Sequence, residues 1–239
     1  MSRVFLAAVI YMILTCPSAW GQDAVDYYNI GLKSSLTNRK IQYFTKAIEL
    51  DPSFVAAYRK RGMLYYFKDK YDKVIQDYTK VIELKPDLAE SYQMLSVAYL
   101  RTGRLEEAID NATRAIELDP TMSGAHGHRA EAYRLKGMPQ KALRESGMAI
   151  HLRGDDKTMA SVYETKAKAY RQLGHRELAD AAHRKSFEFD PRYMVYPIAY
   201  GITTTTTLAS IRRIGGLLIV GLLLVGIFKL TLPAPRKLD

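Results

Sequence analysis

The chain has 239 residues, 48% apolar and 25% charged, enough for one core of several helical hairpins and too little for several independent domains. Its net charge of +10 is unevenly placed: residues 201–239 carry +4, residues 1–21 carry +1, and +5 is left for residues 22–200. Half of the basic excess therefore flanks apolar segments, no stretch alternates basic with aromatic residues, and no zinc-finger spacing occurs, so the pI near 9.5 does not indicate nucleic-acid binding.

Residues 1–21 read as a secretory signal peptide. Arg3 supplies the basic start, Val4 to Cys16 the apolar stretch, Pro17 and Ser18 the break, and Ala19-Trp20-Gly21 the small residues for cleavage before Gln22. The alternative is an uncleaved N-terminal anchor. Cys16 is the single cysteine and lies in this leader, so the mature chain offers no disulfide framework and no thiol chemistry. Ile13-Leu14-Thr15 before it and Pro17 after it do not suit a lipid-attachment site.

Downstream, AIELDP (47–52), VIELKP (81–86) and AIELDP (115–120) recur at a spacing of 34 residues. A fixed period of this length marks stacked helical hairpins. Residues 55–88 carry Tyr58, Gly62, Tyr65, Tyr78 and Pro86. Residues 89–122 carry Tyr92, Leu95, Tyr99, Ala108, Ala115 and Pro120. Residues 123–156 carry Ala130, Tyr133, Ala142 and Ala149, with Gly154 where proline is expected. Residues 160–193 carry Tyr163, Ala167, Tyr170, Ala179 and Pro191. The unit at 22–54 keeps Gly31, Phe44, Ala47 and Pro52, and the spacing places three missing residues in its inter-helix turn. Lys157 to Met159 are three extra residues, read as a lengthened connection.

Each feature has a mechanical reason. Small residues at Gly62, Ala108, Ala130, Ala142, Ala167 and Ala179 let two helices approach closely. Tyr65, Tyr99, Tyr133 and Tyr170 fill the space between neighbouring hairpins, and their phenol ends need a polar partner or water. Pro52, Pro86, Pro120 and Pro191 end the second helix of four of the pairs. One hairpin cannot bury its apolar face alone, so neighbours must stack.

On these residues the chain resembles the tetratricopeptide repeat family over about 22–193. The resemblance implies an all-α fold: a right-handed α-solenoid of about five helix-turn-helix repeats, with helix A of each pair lining a concave groove that binds proteins or peptides. It does not choose the ligand. Chaperone-binding members resemble one another in a carboxylate clamp of Lys and Asn at positions 5 and 9, Asn at 9, then Lys and Arg at 5 and 9. Here Arg59, Met63, Val97, Gly127 and Glu131 take those places, or, one repeat earlier, Val25, Asn29, Met63, Gln93 and Val97. Neither frame matches.

Residues 194–213 form a juxtamembrane spacer. Tyr193 to Tyr200 is apolar and aromatic and is read as a cap on the last hairpin; Thr203 to Thr207 is read as extended chain, since β-branched residues disfavour helix. Ile214 to Phe228 is free of charge, and 214–232 is long enough for roughly 28 Å of helix, which predicts a single transmembrane helix followed by a short basic tail, 233–239. With a signal peptide in front, the repeats lie outside the cytoplasm; the alternative is a tail-anchored protein with cytoplasmic repeats. The flanking charges, Arg212 and Arg213 against Lys229, Arg236 and Lys237, do not decide.

The search for chemistry finds little. His126 and His128 are two apart on a helix and point away from each other, His183 takes an aromatic slot, and no phosphate loop or nucleophile turn occurs. No catalytic residue, metal, cofactor or small-molecule substrate is expected. Asn111-Ala112-Thr113 matches a glycosylation pattern but falls inside a helix. The groove is the remaining site. Helix A positions 2, 5, 9, 12 and 13 contribute Arg59, Met63 and Tyr66, then Gln93 and Arg101, then Glu131 and Arg134, then Lys168 and Arg171. Arg101, Arg134 and Arg171 recur at nearly equivalent places, which predicts a basic line for an acidic or carboxylate-bearing partner segment. The expected function is that of a non-catalytic, membrane-tethered scaffold for protein–protein interaction. The alternatives are an assembly factor for a membrane complex and, from another class, an enzyme subunit completed by its partner.

Overall fold

The computed structural model describes residues 23–192. The leader 1–21, the spacer 194–213, the span 214–232 and the tail 233–239 lie outside the described residues. No helix among the described residues is long and apolar enough to cross a membrane.

The described residues hold ten helices and no strand: α1 (Ala24–Lys33), α2 (Thr37–Leu50), α3 (Val55–Tyr66), α4 (Tyr71–Leu84), α5 (Ala89–Arg101), α6 (Leu105–Leu118), α7 (Ser123–Leu135), α8 (Pro139–Leu152), α9 (Asp156–Gln172) and α10 (Arg176–Phe189). Odd and even neighbours pair as five hairpins. Each even helix also packs on the next odd one, and α7 touches both α5 and α9.

Local chemistry sets the ends of these helices. Asp23 caps α1: its carboxylate accepts the Asp26 N–H at 2.8 Å, and the Asp26 carboxylate accepts the Asp23 N–H in return. Asp155 caps α9 by accepting the Thr158 N–H at 2.7 Å. The turns inside the last three hairpins need left-handed backbone, supplied by Gly103, Gly137 and Gly174 at φ 76°, 73° and 80°. In the second hairpin Asp69 takes the same place at φ 53°. After α2 and α6 the carboxylates of Asp51 and Asp119 accept both the backbone N–H and the hydroxyl of Ser53 and Thr121. These bonds hold both carboxyls below the usual aspartate range, and Pro52 and Pro120 sit inside the same turns.

The core lies where paired helices cross. Ala108, Ala130, Ala142, Ala167 and Ala179 have no exposed surface. A Cβ on Gly62 would lie 2.8 Å from the Tyr78 ring, and one on Gly31 would lie 2.7 Å from the Phe44 ring. Tyr58 is buried as well, and Tyr92 donates its hydroxyl to the Pro86 carbonyl at 3.1 Å. The interhelical tyrosines meet cations on their faces: Lys73 over Tyr65 at 5.2 Å, Arg104 over Tyr99 at 4.5 Å and Lys141 over Tyr133 at 5.3 Å. Tyr170 meets the edge of His175 instead.

Two length changes fall largely elsewhere than the spacing suggests. Of the three residues missing from the first unit, two come out of its first helix and one out of the turn, which has three residues, 34–36, against four, 67–70, in the second hairpin. α1 has 10 residues against 12 in α3. The three extra residues 157–159 do not lengthen a connection. They form the opening turn of α9, which has 17 residues. Gly154 replaces the helix-stopping proline, Arg153 takes the left-handed cap at φ 51°, and Asp155 supplies an early N-cap, so the helix starts sooner.

Candidate functional site

The first helices of the hairpins carry the candidate residues. Gly31 and Gly62 each seat a helix against a ring on its partner, which fixes the register of the first unit. Leu32 therefore corresponds to Met63, and Tyr28 and Leu32, rather than Val25 and Asn29, occupy positions 5 and 9. Neither carries a clamp group. Along position 9 the side chains run Leu32, Met63, Val97, Glu131, Lys168; along position 13, at the ends of α3, α5, α7 and α9, they run Phe67, Arg101, Leu135, Gln172. Position 9 thus changes character along the stack, from apolar at its N-terminal side to charged at its C-terminal side, whereas position 13 keeps an exposed Leu135 in the fourth hairpin.

In the apolar part, Met63 is 42% exposed and Phe67 67%. The Tyr66 ring lies 5.9 Å from Phe67 and 6.1 Å from Tyr71, edge-on to both. Tyr71 donates its hydroxyl to the Asp69 carboxylate, and that bond raises the phenol's pKa. Arg101, at the end of α5, is exposed, makes no ion pair among the described residues, and its charge acts on Tyr71 and on the His128 ring. Arg59 is paired with Glu90. Gln93 lies against Gly124 of α7, where a Cβ would sit 2.3 Å from its amide nitrogen.

In the charged part the cations pair with acids of the same chain. Arg134 donates to both oxygens of Glu131, at 2.6 and 2.8 Å, and the Thr165 hydroxyl donates to the same carboxylate at 3.0 Å. The Arg134–Glu131 bond raises the already high pKa of the guanidinium. Lys168 lies 3.5 Å from Glu164, and Arg171 3.9 Å from Asp180. Burial pushes the Glu164 carboxyl up, but the hydrogen bond from His183 at 2.7 Å and the charges of Lys168 and Arg171 outweigh it, and its pKa is lowered. The three arginines of the predicted line are therefore unlike: Arg134 and Arg171 face acids of their own chain, and Arg101 does not.

Sequence reading missed a second polar feature. Arg61 donates two hydrogen bonds to the Asp77 carboxylate, at 2.6 and 3.0 Å, and a third to the Thr45 hydroxyl at 3.1 Å. Arg129 does the same with Glu145, at 2.8 and 3.1 Å, and Thr113, at 3.1 Å. Each arginine thus ties its own hairpin to the preceding one. Burial raises the Asp77 pKa against the opposing effect of Arg61. The signal was present: an Arg with an acid 16 residues later and a Thr 16 residues earlier, repeated after two periods. His126, in the aromatic slot of its unit, places Nδ1 2.9 Å from the same Glu145 oxygen, and His183 is buried against Glu164. Asn111 donates to the Glu107 carbonyl at 2.8 Å. No group of three metal-binding side chains occurs among the described residues.

Comparisons with known proteins fit this geometry. Family models described as tetratricopeptide repeat match residues 55–88, 89–122 and 160–193. No curated protein sequence matches the chain significantly. Among solved structures, MamA protein is 23% identical at a TM-score of 0.62, covering 77% of this chain and 99% of its own. YrrB, described as a repeat protein with an unusual peptide-binding site, is 24% identical at 0.59, covering 74% and 92%. A thermophilic repeat protein of Thermus thermophilus, TTC0263, is 18% identical at 0.57, covering 74% and 96%.

Proposed function

Because this chain is a tetratricopeptide repeat protein, we propose that it is a non-catalytic docking scaffold whose first helices form a groove for a protein or peptide. One observation carries the reading. Met63 and Phe67 stand 42% and 67% exposed at the end of a helix whose Ala57 and Tyr58 are buried against the core, and large apolar side chains held on rigid helices are what binding surfaces offer. The peptide-binding site named for YrrB supports the same use of the fold. The remaining details come from the sequence alone. A signal segment at 1–21 exports the repeats, and the apolar span 214–232 tethers them beside the bilayer as a single-pass membrane protein. That span also favours a second reading, an assembly factor that contacts a membrane complex through its helix.

Photo-cross-linking tests the groove. A benzophenone side chain replacing Phe67 is expected to trap one defined neighbour in intact cells. The same group replacing Met148, on a second helix and 46% exposed, is expected not to. Adducts from position 148 alone would refute the reading. Protease protection on intact membranes reports the side of exposure, and extraction by alkaline carbonate would reject the tether.

A further inference from the structure

Resting on the docking role proposed above, we propose that only the N-terminal part of this face is the docking site and that its occupant is an acidic peptide segment carrying a large aromatic or aliphatic anchor. Three observations converge. The most exposed apolar side chain of this face stands there: Phe67 is 67% exposed beside Met63 at 42%, with the Tyr66 ring edge-on to Phe67 and Tyr71, against Leu135 at 46% in the C-terminal part. The C-terminal charges answer one another, Arg134 with Glu131 and Lys168 with Glu164, so a ligand would have to displace intramolecular partners to reach them. The positive field also collects at the N-terminal side. Residues 23–73 hold ten Lys and Arg against six Asp and Glu, whereas residues 74–192 hold nineteen against eighteen.

Arg101 joins these features. It stands at position 13 one hairpin on from Phe67, its charge acts on Tyr71, it is exposed, and no carboxylate of the described residues pairs with it. A carboxylate arriving there gains a charge-assisted, two-pronged hydrogen bond without breaking an existing one. An apolar side chain one or two residues along the same peptide would lie over Phe67 and Met63. Charge steers the encounter and the anchor holds the complex, which is the usual division of labour at such sites.

The test is selection of a random 12-residue peptide library on the purified full chain, followed by affinity measurement with the enriched peptides. Sequences enriched in Glu or Asp beside Trp, Phe or Leu are expected, binding more weakly as salt rises. Phe67→Ser and Arg101→Gln should each weaken them about tenfold, and Arg134→Gln and Arg171→Gln less than about twofold. Phe67 and Arg101 are exposed, Arg134 and Arg171 are half-buried beside Glu131 and Asp180, and unchanged circular dichroism confirms that each variant is folded. Acidic peptides that ignore residues 67 and 101 but respond to residues 134 and 171 would overturn the inference and leave the docking role standing. Failure to enrich any peptide would overturn both. A Phe67-dependent dimer in sedimentation, or Phe67-dependent binding to vesicles of neutral and anionic phospholipid at three to one, would replace the proposed occupant with a second copy or a lipid surface.

Discussion

Replacing Arg61 by Leu asks what the buried polar tie between the first two hairpins contributes. The Arg61 side chain is 16% exposed and that of Asp77 only 4%. Removing the guanidinium leaves a desolvated carboxylate with no opposite charge, and stranding one partner of such a pair costs about 3–5 kcal/mol. The chain itself supplies the control. One period later the same two places are held by Leu95, which is 1% exposed, and by Asn111, whose amide donates to the Glu107 carbonyl at 2.8 Å. The double variant Arg61→Leu, Asp77→Asn copies that solution, with the Lys73 carbonyl as the acceptor. It is expected to lie within about 1 kcal/mol of the parent, since a well-packed apolar replacement of a buried pair is often neutral. Asp77→Asn alone should cost about 1–3 kcal/mol, because Arg61 loses its carboxylate but keeps Thr45 and a path to water. The cycle then closes with a coupling of about 3 kcal/mol or more. Urea denaturation followed by circular dichroism measures the sum, and hydrogen exchange along α3 and α4 localises it, as a stack of repeats can open at one end. A double variant as unstable as Arg61→Leu, or an Arg61→Leu cost below about 1 kcal/mol, would refute the reasoning.

Two further outcomes follow from single positions. Gly62→Ala is expected to cost about 1–3 kcal/mol by overpacking, since its Cβ would meet the Tyr78 ring at 2.8 Å. Gly147→Ala, with nothing within 4 Å, is expected to gain about 0.5–1 kcal/mol from helix propensity; shifts of the urea midpoint in opposite directions are the check. Burial and the charge of Arg101 lower the His128 pKa from 6.5 to about 4, and its Nδ1 is buried without a partner. The unfolded chain therefore takes up this proton first as pH falls, and stability is lost between pH 6.5 and 4. Between about pH 7.5 and pH 5 the loss from this group is expected to reach about 2 kcal/mol, at about 1.4 kcal/mol per unit. His128→Met, which copies Met94 one period earlier, should flatten that slope. An unchanged slope between the two proteins would contradict it.

Much of the all-helical fold was legible because the 34-residue period places the same side chains in the same mechanical roles. Gly62 and Ala108 announce close crossings whatever surrounds them, and a proline after each IEL segment announces where a helix stops. Length changes were harder to place. A sequence shows that residues are missing or added between two landmarks, but not which helix gives up or gains a turn. That depended on caps: Ser34 closing α1 early, and Asp155 opening α9 early. The candidate face was legible as positions but not as charges. Arg101, Arg134 and Arg171 look equivalent in the repeat, and only side-chain geometry reveals that Glu131, one helical turn before Arg134, silences it.

The polar ties and the docking face are linked by the same asymmetry. A repeat built from identical units would present the same groups on every hairpin and could not orient a peptide along the stack. Here the arginine ties occur in the second and fourth hairpins, and uncharged Leu95 and Asn111 take the same two places in the third. The ties add no exposed charge, because each guanidinium spends its hydrogen bonds inside the stack. The two hairpins whose ninth position is exposed and apolar are joined by one of them, through Arg61, Asp77 and Thr45. Loosening that joint would let α1 and α3 shift relative to one another and blur the register of Leu32 against Met63. Arg61→Leu is therefore expected to weaken any ligand held at Phe67 even though Arg61 does not reach the face, and the Arg61→Leu, Asp77→Asn pair to restore it. Equal ligand affinity in all three proteins would show that the joint and the face act independently.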